Sequence, residues 1–339
     1  VQGRPPRRAG LLLFVLAVGL LAACDGVWFP HDDVAYDIDA LTVPSGVDRE
    51  AGADRFATAA ALASGVAAER VWVATGRDFA DALTAAAAGD GPVLLSEPDG
   101  VPEATEDALA GRDEPRVAVG GEDALSDSVA EALDLTDRAG GADRYETAAA
   151  IAGETHPDGA DVVYLATGDE FADALSAAPT AADGEARMLL AGHTLPAATA
   201  EALETLEPDD LVAVGGPAAL PDEVVDEAVE AAGGALVERV AGADRYETAA
   251  QVSTHRDLTE ARTAYLATGE DFPDALAAAP AAASEGAPLL LTRRDELPEA
   301  TRAELERLEV ERVVVAGGTA AVGEGVAEEV RALLDTAAD

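Results

Sequence analysis

Short apolar runs alternate along this chain with longer stretches whose apolar positions recur at helical spacing. The pattern is clearest toward the C-terminus. Leu236 to Val240 reads as a short strand. Asp244 to about Ser253 reads as a helix, with Asp244 as N-cap and Glu247 three residues on, the signature of a capping box. Thr263 to Ala267 is a short apolar strand, and Asp271 to Ala283 an Ala-rich helix interrupted at Pro280. Pro288 to Leu291 reads as a buried strand. Leu297 to Leu308 follows as a helix with Pro298 near its first turn, where proline is tolerated. Arg312 to Ala316 is a further strand and Val322 to Leu334 an amphipathic helix. Strands that alternate with helices, and are apolar throughout rather than at every second residue, imply a parallel sheet covered by helices.

The same pattern occurs three times. Gly52-Ala53-Asp54-Arg55-Phe56 returns as Gly141-Ala142-Asp143-Arg144-Tyr145 and Gly242-Ala243-Asp244-Arg245-Tyr246. Ala74-Thr75-Gly76 returns as Ala166-Thr167-Gly168 and Ala267-Thr268-Gly269. Phe79-Ala80-Asp81-Ala82-Leu83 returns as Phe171-Ala172-Asp173-Ala174-Leu175 and Phe272-Pro273-Asp274-Ala275-Leu276. Val119-Gly120-Gly121 returns as Val214-Gly215-Gly216 and, altered, as Ala316-Gly317-Gly318. The order is constant and each copy is domain-sized. The expected fold class is therefore α/β, with three tandem repeats over 46–134, 135–235 and 236–339, each a small parallel sheet flanked by helices.

Each motif follows the carboxyl end of an expected strand and precedes a helix. Those ends lie along one edge of a parallel sheet, where ligands bind and where free backbone N–H groups favour an anion. The candidate ligand-binding residues are Asp54, Arg55, Thr75 and Asp81, then Asp143, Arg144, Thr167 and Asp173, then Asp244, Arg245, Thr268 and Asp274. The arginines lead, because a guanidinium grips phosphate or carboxylate with two parallel N–H bonds. The same residues admit a structural reading. Asp54, Asp143 and Asp244 suit helix N-caps, and Asp81, Asp173 and Asp274 could cap the next helix. The threonines could close turns, the phenylalanines could be core, and each arginine could pair with a neighbouring aspartate.

Composition adjusts this picture. The chain has 339 residues, 49% of them hydrophobic and 4% aromatic, so Ala, Val and Leu build the core. The small residues suit close packing of helix on sheet. The formal net charge is −44 and every basic residue is Arg. This argues against nucleic acid as a partner, since phosphate binding needs facing cations. It fits a GC-rich genome, a salty medium, or both.

The N-terminal residues have a different character. Arg4, Arg7 and Arg8 precede an apolar run from Leu11 to Ala23, too short to span a bilayer as a helix. This is the pattern of a secretory signal, assigned to 1–23. The run ends in Leu21-Ala22-Ala23-Cys24, which resembles a bacterial lipobox and implies lipidation of Cys24, the only cysteine. Residues 24–45 then form the lipidated N-terminus and a tether, and the membrane becomes a partner through that lipid.

The three copies together resemble the cell-wall-binding repeat 2 family, whose hallmark joins Gly-x-Asp-Arg-Tyr-x-Thr-Ala, Ala-Thr-Gly-x-x-Phe-x-Asp-Ala-Leu, Pro-x-Leu-Leu and Val-Gly-Gly in that order. The resemblance runs from about Gly46 to the C-terminus. It implies an extracytoplasmic surface protein held noncovalently by a cell-wall polysaccharide of anionic character, with three repeats packed about a pseudo-threefold axis. The first copy departs from the hallmark, carrying Phe56-Ala57-Thr58 where the others carry Tyr-Glu-Thr, and so lacks the capping-box Glu. An acidic protein on an anionic polymer also poses a conflict. Local arginines and helix N-termini must outweigh the global field, or high salt or a divalent cation must mediate.

An enzyme is the rival class. His31, His156, His193 and His255 occupy no equivalent positions and no metal-binding spacing, so neither a metal nor a cofactor is expected. No nucleophile elbow or P-loop is present. A catalytic centre need occur only once, whereas the distinctive residues here occur three times. Tripling favours multivalent binding, in which tethered weak sites gain avidity. A structural or partner-binding lipoprotein, and less so a wall-modifying hydrolase, remain the alternatives.

Overall fold

The computed structural model describes residues 46–155, 159–182, 186–255, 258 and 261–337. The expected signal (1–23), Cys24 and the tether lie outside the described residues. Twelve strands and twelve helices alternate along the described chain. The chain begins with β1 (Gly46–Glu50), α1 (Arg55–Ala63), β2 (Val71–Thr75), α2 (Ala82–Ala86), β3 (Val93–Ser96), α3 (Glu103–Leu109), β4 (Arg116–Val119) and α4 (Asp127–Ala132). There follow β5 (Asp137–Ala139), α5 (Arg144–Thr155), β6 (Val162–Thr167), α6 (Ala172–Ala181), β7 (Ala186–Ala191), α7 (Ala197–Leu206), β8 (Asp210–Val214) and α8 (Asp222–Ala231). The last set is β9 (Leu236–Val240), α9 (Arg245–His255), β10 (Thr263–Thr268), α10 (Pro273–Ser284), β11 (Leu289–Thr292), α11 (Glu299–Leu308), β12 (Arg312–Ala316) and α12 (Glu324–Ala337).

These elements build three four-stranded, all-parallel sheets in the orders β3-β2-β4-β5, β7-β6-β8-β9 and β11-β10-β12-β1. The fourth strand of each sheet lies just before the next Gly-Ala-Asp-Arg motif in the chain. β5 completes the first sheet and β9 the second. β1 completes the third, with Gly46 to Glu50 in register against Arg312 to Ala316. Each copy therefore lends its opening strand to the copy before it, and the first copy lends to the last, closing a ring.

Side-chain alternation makes the inner strands two-faced although both faces are dry, whereas the lent edge strands β1, β5 and β9 are partly exposed. Trp72 and Ala74 of β2 point into one large shared core, and Val71 and Val73 into a private one. The shared core also takes Tyr164 and Ala166 of β6, Tyr265 and Ala267 of β10, and the alanines of α2, α6 and α10. Three private clusters lie on the far faces of the sheets, under α4, α8 and α12. Alanine dominates the centre because three helices from three copies converge there, and only small side chains let their backbones approach closely.

The helix expected to break at Pro280 instead runs through it, from Pro273 to Ser284, and α6 likewise contains Pro179. Proline forfeits one N–H bond and crowds the preceding turn. Here the surrounding helix is buried on all sides, and that packing outweighs the local penalty.

Candidate functional site

The Gly-Ala-Asp-Arg motifs begin α1, α5 and α9. Oδ1 of Asp54 accepts the Ala57 N–H at 2.9 Å. Asp143 accepts the N–H groups of Tyr145 and Glu146 at 2.9 Å, and Asp244 those of Tyr246 and Glu247 at 3.0 Å. Glu146 and Glu247 reach back to the N–H of Ala142 at 2.7 Å and Ala243 at 2.8 Å, completing the reciprocal arrangement. The first copy has Ala57 in that place and no such return bond. All three aspartates are exposed caps.

Thr75, Thr167 and Thr268 are 5%, 1% and 4% exposed, which removes them from a ligand's reach. Each accepts the N–H two residues on, from Arg77 at 3.3 Å, Asp169 at 3.2 Å and Glu270 at 3.2 Å. Of the two readings open for them, the geometry favours turn closure.

Asp81, Asp173 and Asp274 cap nothing. Asp81 makes no capping bond, and Asp173 and Asp274 lie inside the first turns of their helices. Their carboxylates instead cross to the next copy and accept the hydroxyls of Thr147, Thr248 and Thr58. Each of these threonines in turn accepts the N–H of the motif glycine: Gly141 and Gly242 at 3.1 Å, and Gly52 at 3.0 Å. The first glycine of each Val-Gly-Gly or Ala-Gly-Gly sequence lies directly above. Gly120, Gly215 and Gly317 have φ of +87°, +107° and +96°, and a Cβ there would stand 2.4, 2.6 and 2.1 Å from Oδ2 of Asp81, Asp173 and Asp274. Burial pushes all three carboxyls above the usual aspartate range, against the lowering effect of the threonine hydroxyl. Nearby Asp78, Glu170 and Asp271 add to the rise at Asp81, Asp173 and Asp274 respectively.

The motif arginines gather around the axis. Arg55 Nη1 donates to the Gly76 carbonyl at 2.5 Å and Arg245 to that of Gly269 at 2.5 Å, and Arg144 bonds Gly168 in the same way. Phe79, Phe171 and Phe272 meet edge to face in a triangle, with centroids 5.7, 5.8 and 6.3 Å apart. Each guanidinium lies over the ring contributed by the preceding copy: Arg144 over Phe79 at 5.6 Å, Arg245 over Phe171 at 5.5 Å, and Arg55 over Phe272 at 5.8 Å. Glu170 and Asp271 stand 3.9 and 4.0 Å from Arg245 and Arg55.

The expected edge site of a single repeat is thus a junction between two. The first and second copies enclose a cleft of about 520 Å³ lined by Asp78, Asp81, Gly121, Glu122, Asp143 and Arg144 among others. Its walls come from Phe-x-Asp-Ala-Leu and Val-Gly-Gly of one copy and Gly-Ala-Asp-Arg of the next. The reason lies in the lent strand, which delivers the last motif onto its neighbour's sheet.

A second set of arginines, outside the sequence motifs, braces the paired glycines. Arg49, Arg138 and Arg239 bond the carbonyls of Gly317 at 2.8 Å, Gly120 at 2.9 Å and Gly215 at 2.7 Å. Their signal was present, since each stands six residues before the arginine of a Gly-Ala-Asp-Arg motif. Among the described residues no group of three His, Cys, Asp or Glu side chains is placed to hold a metal ion, and no helix is long and apolar enough to cross a membrane.

Comparison with known proteins agrees with this architecture. Residues 49–130, 138–225 and 239–327 each match the family described as cell wall binding domain 2. The N-acetylmuramoyl-L-alanine amidase LytC of Bacillus subtilis (strain 168) is 30% identical over 190 residues, 56% of this chain and 37% of LytC. The amidase enhancer of the same organism is 34% identical over 166 residues, 49% of this chain and 23% of the enhancer. The chain therefore spans well under half the length of these relatives. Cwp6 from Clostridium difficile superposes with a TM-score of 0.77 at 26% identity, over 86% of this chain and 48% of that one. Cwp8 from the same organism gives 0.75 at 27%, over 88% and 53%. With three matched segments in tandem and the fold shared over most of its length, this chain belongs to the cell wall binding domain 2 family.

Proposed function

We propose that the protein is held at the outer face of the membrane by a lipid on Cys24 and binds an anionic cell-wall polysaccharide noncovalently through its three repeats, without catalysing a reaction. The observation that carries this reading is the threefold recurrence of a half-exposed arginine seated on a phenylalanine of the preceding copy. Three such cations on one rigid frame suit a repeating polymer, because each contact made raises the effective concentration for the next. Cell-wall binding follows from the family; the anionic polymer, the lipid and the absence of catalysis are this proposal's own. The hydrolase named in LytC belongs to that protein, of which this chain spans 37%.

The test is a pull-down of the full chain with purified cell walls, before and after extraction of their anionic polymers. Retention lost on extraction supports the reading. Retention unchanged by extraction moves the ligand to the remaining wall. A second reading, a structural or partner-binding lipoprotein, draws on the bonds that the motif residues already make within and between copies. Absence of retention at any salt or calcium concentration would favour it. Release of soluble fragments from the walls would instead make the protein a hydrolase.

A further inference from the structure

The copies differ where their clefts open. Strand register pairs Thr75 with Ser96 in the first copy and Thr268 with Thr292 in the third. The next residue is therefore Glu97 in one and Arg293 in the other. Glu97 lines a cleft of about 540 Å³ with Asp54, Glu103 and Asp107. Its carboxylate pairs at 2.6 Å with the exposed Arg77, so those carboxylates outnumber the one cation beside them. Arg293, with 40% of its side chain exposed, lies 4.7 Å from the Tyr246 ring centroid, flanked by Glu296 at 3.2 Å and Asp244 at 4.0 Å. The junction of the first and second copies is acidic as well. Its cleft sets Arg144 alone against Asp78, Asp81, Glu122, Asp123 and Asp143. Glu122-Asp123 follow the paired glycines, where the other copies carry Pro217-Ala218 and Thr319-Ala320.

Resting on the anionic-polymer reading above, we propose that the three copies bind unequally: the third is the strongest site, with Arg293 and Arg245 as its determinants, and Glu97, Glu122 and Asp123 weaken polyanion binding at the first copy. An anion entering either first-copy cleft would stand within a few ångströms of several carboxylates. Separations of that size fall inside the screening length of about 8 Å at 0.15 M salt, so the repulsion persists. At Arg293 the guanidinium carbon lies over the Tyr246 ring. Its N–H groups face Glu296 and Asp244, two exposed carboxylates with which an incoming anion competes.

The experiment titrates the full chain with poly(glycerol phosphate) and with polygalacturonate, and uses neutral dextran as control. Arg293→Gln is expected to weaken polyanion binding at least about fivefold, as loss of one exposed charge contact of about 1 kcal/mol would. Its thermal midpoint should stay at the wild-type value. Arg293→Glu should weaken binding further, and Glu97→Arg and the pair Glu122→Thr with Asp123→Ala should each strengthen it. Preference for one polyanion identifies phosphodiester or carboxylate as the favoured charge. Wild-type affinity in Arg293→Gln, or no gain in either first-copy variant, overturns the assignment while the anionic reading stands. Failure of the wild-type chain to bind either polyanion removes both.

Discussion

Thr248 illustrates how much one hydroxyl does here. It accepts the Gly242 N–H, donates to Asp173, and is 2% exposed. Thr248→Val keeps the shape and leaves an N–H and a carboxylate without their partner. It should cost about 1–3 kcal/mol in urea unfolding, with Thr248→Ser recovering most of it. Equal stability of the Val and Ser variants would show that the bridge contributes nothing. The facing carboxylate has a pH signature. Burial raises the folded pKa of Asp173 above its ordinary value of 3.8, so the native state holds its proton more tightly than the unfolded state does. The associated stability is fully present below the ordinary value and is lost as pH rises through the folded value. Asp173→Asn should therefore lose less stability than wild type as pH rises above about 4, read as the difference between their unfolding midpoints at each pH. A difference independent of pH would remove the idea. Gly317→Ala tests the crowding above Asp274. With φ at +96° and a clash with that carboxylate, it should cost about 1–3 kcal/mol.

Among the elements, β1 carries the most consequence for its length. Its five residues close the ring by pairing with β12, and its side chains add bonds from Arg49 to Gly317 at 2.8 Å and from Arg312 to Asp48 at 2.7 Å. Deleting 46–50 would leave β12 as an open edge with unpaired backbone groups. Amide exchange in β12 should accelerate at least about tenfold, while β8, whose partner β9 is intact, keeps more of its protection. Uniform acceleration in both strands would mean that the ring unfolds only as a whole. The buried prolines of α6 and α10 make a related point: local propensity loses where a helix is enclosed by its neighbours.

The whole molecule carries a formal charge of −44, and its arginines are unevenly shared, ten of the 22 lying between 236 and 339. Self-repulsion on this scale destabilises a compact state, and added salt relieves it. Raising NaCl from about 0.05 to 1 M, where the screening length falls to about 3 Å, should raise the thermal midpoint. Each kcal/mol gained corresponds to roughly 2–4 °C for a domain of about 150–250 residues. A flat or falling midpoint would show that local ion pairs already balance the surface. Polymer binding should respond in the opposite sense if exposed arginines grip anions, since salt screens those contacts too.

The α/β class, the three copies and the order of strand and helix were legible in the sequence, because apolar periodicity and cap chemistry act over a few residues and recur at each copy. Asp54, Asp143 and Asp244 were readable as caps for the same reason: their partners lie two or three residues away. The roles of Asp81, Asp173 and Asp274 were not, since the hydroxyls they accept come from threonines 66 to 75 residues later or, for Asp274, from Thr58 at the other end of the chain. Equally hidden were the strand lent by each copy to its predecessor, the arginine seated on a foreign phenylalanine, and the cleft between the first and second copies. Those depend on which apolar face meets which. Only the closing of three incomplete sheets into one ring decides that.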